Sequence, residues 1–374
     1  MEILLAKVSS HLSSIYIHIP FCKKRCSYCN FYSTVKPEHL SKYVSSVCNE
    51  IIGQKDFLSN KNIHTLYFGG GTPSQLSALQ INTIYNTISS VYNMENLEEF
   101  TIECNPDDIR PGYIESIHTT NVNRISIGVQ SLDDRILQFI NRRHDADAAR
   151  TCVRNLLESG YENISIDLIY GIPGQSLESW KQTVDEAVTW GVKHISAYNL
   201  SFEEGTEMYK YIDKSPDEET CISMYNYLCK TLLENGFEHY EISNFAKKGF
   251  RSKHNSVYWQ GGEYLGIGAG AHSYNGKQRF ENCGYEIQSD GTLYWNRKME
   301  TLSEKDIYNE LIITSLRTKE GIDSRKIPNK YLKHFVTYAK PYIEKGNLVK
   351  KGDFTALSEK GVLISDYIMR DLIL

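Results

Sequence analysis

No apolar run in this chain approaches the roughly 20 residues that a membrane-spanning helix needs. An excess of basic residues is missing as well: Lys and Arg number 41 against 46 Asp and Glu, a net charge of −5. A nucleic-acid-binding domain normally shows a basic patch or surplus, so no nucleic-acid partner is expected. The opening residues, Met1-Glu-Ile-Leu-Leu-Ala-Lys7, lack the basic start and long apolar core of a secretory signal, and the expected location is cytoplasmic. A disulfide framework is lacking too. Nine cysteines are an odd number, and 374 residues are too many to need staples. In a reducing compartment, clustered cysteines are metal ligands or redox groups rather than cross-links. The apolar fraction of 41% and charged fraction of 23% are those of an ordinary globular protein. The length suggests two domains, or one large and one small. Tyrosine is abundant at 26, which fits either genome composition or aromatic surfaces suited to a flat ligand.

Three cysteines are not scattered. Cys22, Cys26 and Cys29 follow a short apolar strand at spacings of three residues and then two, on a polar loop with Lys23, Lys24 and Arg25. Three thiolates can hold three irons of a four-iron cluster and leave the fourth iron open to a ligand that is not protein. The alternative is zinc, which usually closes its site with a fourth Cys or His; His18 and His39 are the near candidates. The other six, Cys48, Cys104, Cys152, Cys221, Cys229 and Cys283, read as buried packing.

Between residues 14 and 200, β-rich runs alternate with amphipathic stretches. Strands are expected over 14–19, 65–68, 99–104, 124–128, 165–170 and 194–200. Helices are expected over 37–54, 77–91, 112–118, 133–139, 145–158 and 176–190, with a further one over 216–237. Such alternation argues for βαβ units and a parallel sheet. Chemistry placed after the strands fits an α/β fold, a partial (β/α)6 TIM-like barrel whose ligands sit at the C-terminal strand ends. A doubly wound sheet would give the same string. The expected division is a barrel over 1–235, a loop-rich cap over its mouth at 236–300, and a small α+β module at 301–374. The last carries helices over 303–318 and 331–344 and a closing run at 355–369. It reads as winged-helix-like and, with mixed charges, as structural.

Polar groups follow the strands. Gly69-Gly70-Gly71-Thr72-Pro73 leaves the second strand, and serial glycines let a backbone approach a ligand closely. Glu103 closes the third strand, where a carboxylate can accept both hydroxyls of a ribose or can simply be solvated. Gln130 follows the fourth strand, and Arg142 lies in Asn141-Arg-Arg-His144. Asp167 sits inside the apolar fifth strand, which is costly unless the acid is paired or ligand-bound.

Cys-x3-Cys-x2-Cys behind an N-terminal strand resembles the signature of the radical S-adenosylmethionine (radical SAM) superfamily. The resemblance implies a [4Fe-4S] cluster whose open iron is chelated by the amino and carboxylate groups of S-adenosylmethionine. One electron then cleaves a carbon–sulfur bond, giving a 5′-deoxyadenosyl radical. It also implies that Gly71 and Thr72 contact the amino-acid end of the nucleoside and Glu103 its ribose. Tyr16, Gln130, Arg142 and Asp167 match the nucleoside-binding set of the oxygen-independent coproporphyrinogen III oxidase-like branch, and the likeness covers nearly the whole chain. In that branch the dehydrogenase, which oxidatively decarboxylates two propionates, ends its motif Cys-x-Cys and carries a longer N-terminal extension. The haem chaperones end theirs Cys-x-Phe. Here the end is Cys29-Asn30-Phe31, and 15 residues precede Tyr16. The chain therefore resembles the haem chaperones, which implies haem as bound cargo, haem-requiring respiratory proteins as recipients, and room for peripheral membrane association. His254-Asn-Ser-Val-Tyr-Trp259 resembles their His-Asn-x-x-Tyr-Trp motif. It makes His254 a candidate axial haem ligand, with aromatic neighbours able to pack on the macrocycle. The competing reading is a His-Asn pair bridging backbone groups beside a core Tyr258 and Trp259. His272, in Gly268-Ala-Gly-Ala-His-Ser273, is a second candidate. The catalytic dehydrogenase, and a radical enzyme acting on another substrate, stand as alternatives.

Overall fold

The computed structural model describes residues 13–374. The reading of the opening residues lies outside the described residues. Six parallel strands form the centre: β1 Ser13–Ile19, β2 Ile63–Gly70, β3 Glu99–Cys104, β4 Arg124–Gln130, β5 Ile164–Tyr170 and β6 His194–Asn199. They pair in chain order. The strands are buried along almost their whole length, as in Ile15, Ile17 and Ile19 of β1 and Ile164, Ile166 and Leu168 of β5. That pattern belongs to a parallel sheet covered on both faces. Between the strands, helices bury one stripe each. Ala146–Glu158 buries Ala146, Ala149, Cys152, Val153 and Leu156, the three- and four-residue spacing of one helical face. Asp145 and Ser176 cap their helices by accepting from Ala148 N and Ser179 N, and Ser77 with Gln80 forms a reciprocal capping box. The outcome is the expected α/β partial barrel.

Residues 236–300 depart from the expected loop-rich cap. They extend the sheet at both ends. β7 Glu238–Glu241 and β8 Asn244–Ala246 lie antiparallel beyond β6. β9 Glu263–Ile267 lies parallel to β1, with Ser13 opposite Glu263 and Ile17 opposite Ile267. β10 His272–Tyr274, β11 Gln278–Asn282 and, past the small ribbon of β12 Glu286–Ile287 and β13 Leu293–Tyr294, β14 Arg297–Thr301 complete a 12-stranded sheet. These strands are two to five residues long, too short to show the alternation that marks a strand in sequence, and β9 is interrupted by Gly266. At Gly266 the glycine is obligatory: a Cβ there would fall 2.0 Å from the carbonyl oxygen of His272.

The C-terminal segment is a small α+β unit. Helices Glu304–Leu316 and Asn329–Glu344 pack on a three-stranded sheet of β15 Ile322–Asp323, β17 Phe354–Leu357 and β16 Leu348–Lys351. Its own core contains Tyr308, Ile312, Phe335, Ile368 and Leu372. It is tied to the barrel through the buried Glu241, whose carboxylate accepts from Arg317 Nε at 2.8 Å and from Ser243 N at 2.9 Å. Among the described residues no helix is long and apolar enough to cross a membrane.

Removing one partner of a buried ion pair strands the other charge. Arg317→Met is expected to lower stability by about 2 kcal/mol, below the fully buried case because Arg317 is itself 28% exposed. Urea unfolding of the two proteins checks this, and coincident transitions would refute it.

Candidate functional site

The cysteines sit on a loop that closes on itself. Cys22 N donates to Thr34 O at 2.8 Å and Thr34 N to Pro20 O at 2.7 Å. Between these ends the loop is held from outside. Asn141 Nδ2 donates to Arg25 O at 2.8 Å, Ser27 N to Ile140 O at 3.2 Å, and Met208 N to Ser27 O at 2.9 Å. The segments that follow β4 and β6 therefore fix the loop that follows β1.

Behind the loop, at the C-terminal strand ends, is a cavity of about 650 Å³. Cys22, Cys26 and Cys29 line it together with Gly71, Thr72, Glu103, Gln130, Arg142 and Asp167. Nine residues singled out from sequence thus share one space. Thr72 Oγ1 lies 3.5 Å from Cys22 Sγ and donates toward it. A Cβ on Gly71 would stand 3.0 Å from the same sulfur and 2.7 Å from the carbonyl carbon of Pro20, so only glycine fits. Arg142 donates from Nη1 to Cys26 Sγ at 3.3 Å and from Nη2 to Asn105 Oδ1 and the carbonyl of Gly128. Gln130 has φ +67°, a left-handed conformation, where the pairing of β4 with β5 slips. Backbone strain of this kind persists where the surroundings over-determine it, often at binding sites.

The cavity's charge is finely balanced. Glu103 accepts from Tyr67 Oη at 2.8 Å and Gly70 N at 3.0 Å, yet burial pushes its carboxyl up to about 7, helped by the negative charge of Asp167. Asp167 accepts from Ser126 Oγ at 3.3 Å and is also raised by burial. Burial likewise raises the Cys22 and Cys29 thiols, while the guanidinium of Arg143 pulls Cys22 and that of Arg25 pulls Cys29 the other way.

Tyr16 lies behind the cavity rather than on its wall. Its ring stacks on Tyr67 with centroids 6.0 Å apart, and its hydroxyl meets His18 Nδ1 at 3.0 Å. His254, the candidate haem ligand, lies in the core. It is buried in the helix Lys253–Trp259, with Nδ1 2.8 Å from Thr65 Oγ1 and Nε2 2.7 Å from Tyr258 Oη. Both ring nitrogens are engaged, and its face stacks on Tyr67. In this conformation His254 is a core residue with no lone pair to offer a metal. His18 is similarly closed, its Nε2 2.9 Å from Tyr32 O, and His39 Nδ1 meets Tyr285 Oη. His272 is exposed at the start of β10. Sequence reasoning missed Tyr67, Ser126, Ser196 and Asn105, which also line the cavity. Strand alternation could have found two of them. Register sets Glu103 beside Ser126 and Asp167 beside Ser196, two residues further along, so these share one inward face.

Among the described residues, no three His, Cys, Asp or Glu side chains converge as ligands of one ion. A cubane needs no such convergence, because each thiolate takes a different iron. Three sulfurs spread along one wall, with a cationic guanidinium at one of them, fit that donor set.

The comparisons agree with this geometry. The model of the radical SAM superfamily matches residues 16–187. Heme chaperone HemW of Lactococcus lactis is 37% identical over 85% of this chain and 85% of its own length. Heme chaperone HemW of Bacillus subtilis is 32% identical over 96% of this chain and 98% of its own. The chain belongs to the radical SAM superfamily, in its HemW haem-chaperone branch. The mitochondrial radical S-adenosyl methionine domain-containing protein 1 of Danio rerio is 33% identical over 84% of this chain and 76% of its own. Among solved structures, coproporphyrinogen III oxidase (HemN) of Escherichia coli covers 100% of this chain and 93% of its own with a TM-score of 0.81. At 20% identity that likeness speaks for the fold alone. Membership of the radical SAM family implies a [4Fe-4S] cluster and S-adenosylmethionine.

A carboxyl whose folded pKa is raised binds its proton more tightly folded than unfolded, so stability falls as pH rises toward the folded value. Relative to Glu103→Gln, the ligand-free protein should lose about 3 kcal/mol as pH climbs from 4.5 to about 7, and no more above that. Urea unfolding across pH measures it; parallel curves for the two proteins would contradict the assignment.

Proposed function

We propose that this protein is a cytoplasmic haem carrier. It binds haem at the barrel mouth and hands it to haem-requiring respiratory proteins, with peripheral contact at the membrane where such recipients sit. The observation that carries the reading is the end of the cysteine loop. Residue 31 is a phenylalanine, 68% exposed at the rim of the cavity, where a catalytic coproporphyrinogen dehydrogenase would present a further cysteine. The names of the HemW relatives support it.

In this reading Cys22, Cys26 and Cys29 hold three irons, and a bound cluster supplies one electron at a time. Thiolates bind iron and thiols do not, so loading releases protons from groups that burial has raised. Gly71 and Thr72 offer close backbone approach to the amino-acid end of S-adenosylmethionine, and Glu103 accepts its ribose hydroxyls once ionised. Arg142 stands between Cys26 and Asn105 and sets a positive charge against the sulfur. Gln130 and Asp167 close the opposite wall, and Tyr16 backs it from behind. The exposed Phe31 and the half-exposed Tyr198, at the same mouth, offer apolar faces to a flat macrocycle.

The test is to titrate haem into the reconstituted protein and follow the Soret band. Stoichiometric binding with a shifted band is expected. No retained haem, or protoporphyrinogen formed from the porphyrinogen with reductant and S-adenosylmethionine, would turn the assignment toward the dehydrogenase. His254→Ala discriminates further. It should leave the haem spectrum intact while costing about 3 kcal/mol of stability, because Thr65 and Tyr258 lose a buried partner and a cavity opens. A lost Soret shift at unchanged stability would restore His254 as ligand.

A further inference from the structure

Asp108 gathers more of the site's framework than any strand does. It lies in the short turn Pro106–Asp108 after β3, and its side chain is only 3% exposed. Oδ1 accepts from Lys23 Nζ at 2.6 Å, and Lys23 follows Cys22 directly. Oδ2 accepts from Ser74 Oγ at 3.0 Å and Gln75 Nε2 at 2.8 Å, in the turn just past Thr72. Oδ2 also accepts from Arg143 Nη2 at 3.1 Å, next in chain to the Arg142 that touches Cys26. Four donors from three separate loops thus meet on one buried carboxylate. A charged acceptor satisfied in this way is stronger than a neutral one, and a buried network specifies a single arrangement.

We propose that Asp108 is the positioning residue of the cysteine loop, fixing Cys22 through Lys23 and Thr72's turn, and Cys26 through Arg143 and Arg142. The inference rests on the three cysteines carrying the cluster. No local pattern in the sequence marks Asp108. Lys23 reads as one of three solvated cations. Yet the Arg25 side chain turns back to the Cys29 carbonyl of its own loop, whereas the Lys23 side chain reaches the turn after β3.

The test uses the full chain, reconstituted anaerobically with iron and sulfide. Cluster loss to an iron chelator is followed by visible absorbance, and the reduced cluster by EPR with and without S-adenosylmethionine. Lys23→Met and Asp108→Asn should each shed the cluster about ten-fold faster than wild type, the size of one lost charge-assisted bond. Lys23→Arg should restore the wild-type rate, and the double variant should be no worse than Asp108→Asn alone. Arg135→Met, which breaks an exposed pair with Asp133 elsewhere, should change nothing. The melting temperature of the metal-free Lys23→Met protein should stay close to wild type, because Asp108 keeps its donors Ser74, Gln75 and Arg143. If Asp108→Asn fails to fold, Lys23→Met decides alone. A Lys23→Met protein that holds its cluster as long as wild type overturns the proposal while leaving the haem reading standing. A wild type that takes up no cluster overturns both.

Discussion

β1 and β2 end flush. Their parallel register sets Ile19 against Gly70, and Gly71 N continues the ladder by donating to Ile19 O at 2.8 Å. The two chains therefore leave the sheet at one height and in one direction. The next residues of β1 are Pro20 and the cysteine loop; the next of β2 are Gly71 and Thr72. They have no choice but to meet, which is why a Cβ at 71 would strike both Pro20 and the Cys22 sulfur. Thr72 reaches that sulfur from the same geometry. Antiparallel strands would send the loops to opposite ends, and neither contact would form.

The remaining strands extend the same logic in charge. Glu103, next to last in β3, pairs with Ser126 of β4, and Asp167 of β5 pairs with Gly128, two residues further along β4. Parallel pairing delivers two acids onto one face, where neither is comfortable. Arg124, buried on β4, and Arg142 answer them from the wall. The aromatic layer of Tyr16, Tyr67 and His254 closes the floor and keeps out the water that would otherwise stabilise the carboxylates. His254 earns its place there through two buried hydrogen bonds, a structural task that a motif match alone would not reveal.

Legibility followed the physics of each signal. The barrel strands were readable because both faces are buried, so apolar residues run without interruption. The helices were readable because capping residues such as Ser77 and Asp145 sit beside regular apolar stripes. The cysteine loop and its companions were readable because ligand chemistry restricts residue type and spacing together. β9, β10 and β11 were not readable, since they are short, β9 carries Gly266 inside it, and glycines at 268 and 270 make the turn between β9 and β10. There Gly268 and Gly270 have φ of +96° and +83°, and side chains of Tyr43 and Tyr32 occupy the space a Cβ would take. Asp108 was not readable for another reason. Its meaning lies in four partners far away in sequence, and no local pattern carries that.

The raised carboxyls say what kind of ligand the cavity awaits. Burial disfavours the charged forms of Glu103 and Asp167, and a cationic or hydroxyl-rich guest offsets that cost without admitting water. A guest bearing a positive centre and vicinal hydroxyls would lower both pKa values on entry, so binding and deprotonation are one event. The same holds for the thiols, whose protons leave as iron arrives. Acids and thiols lining one cavity therefore both gain charge as oppositely charged partners arrive. The site is poorly organised for a neutral, apolar guest in its depth. In the proposed reading an apolar macrocycle takes the rim instead, where Phe31 and Tyr198 are already exposed.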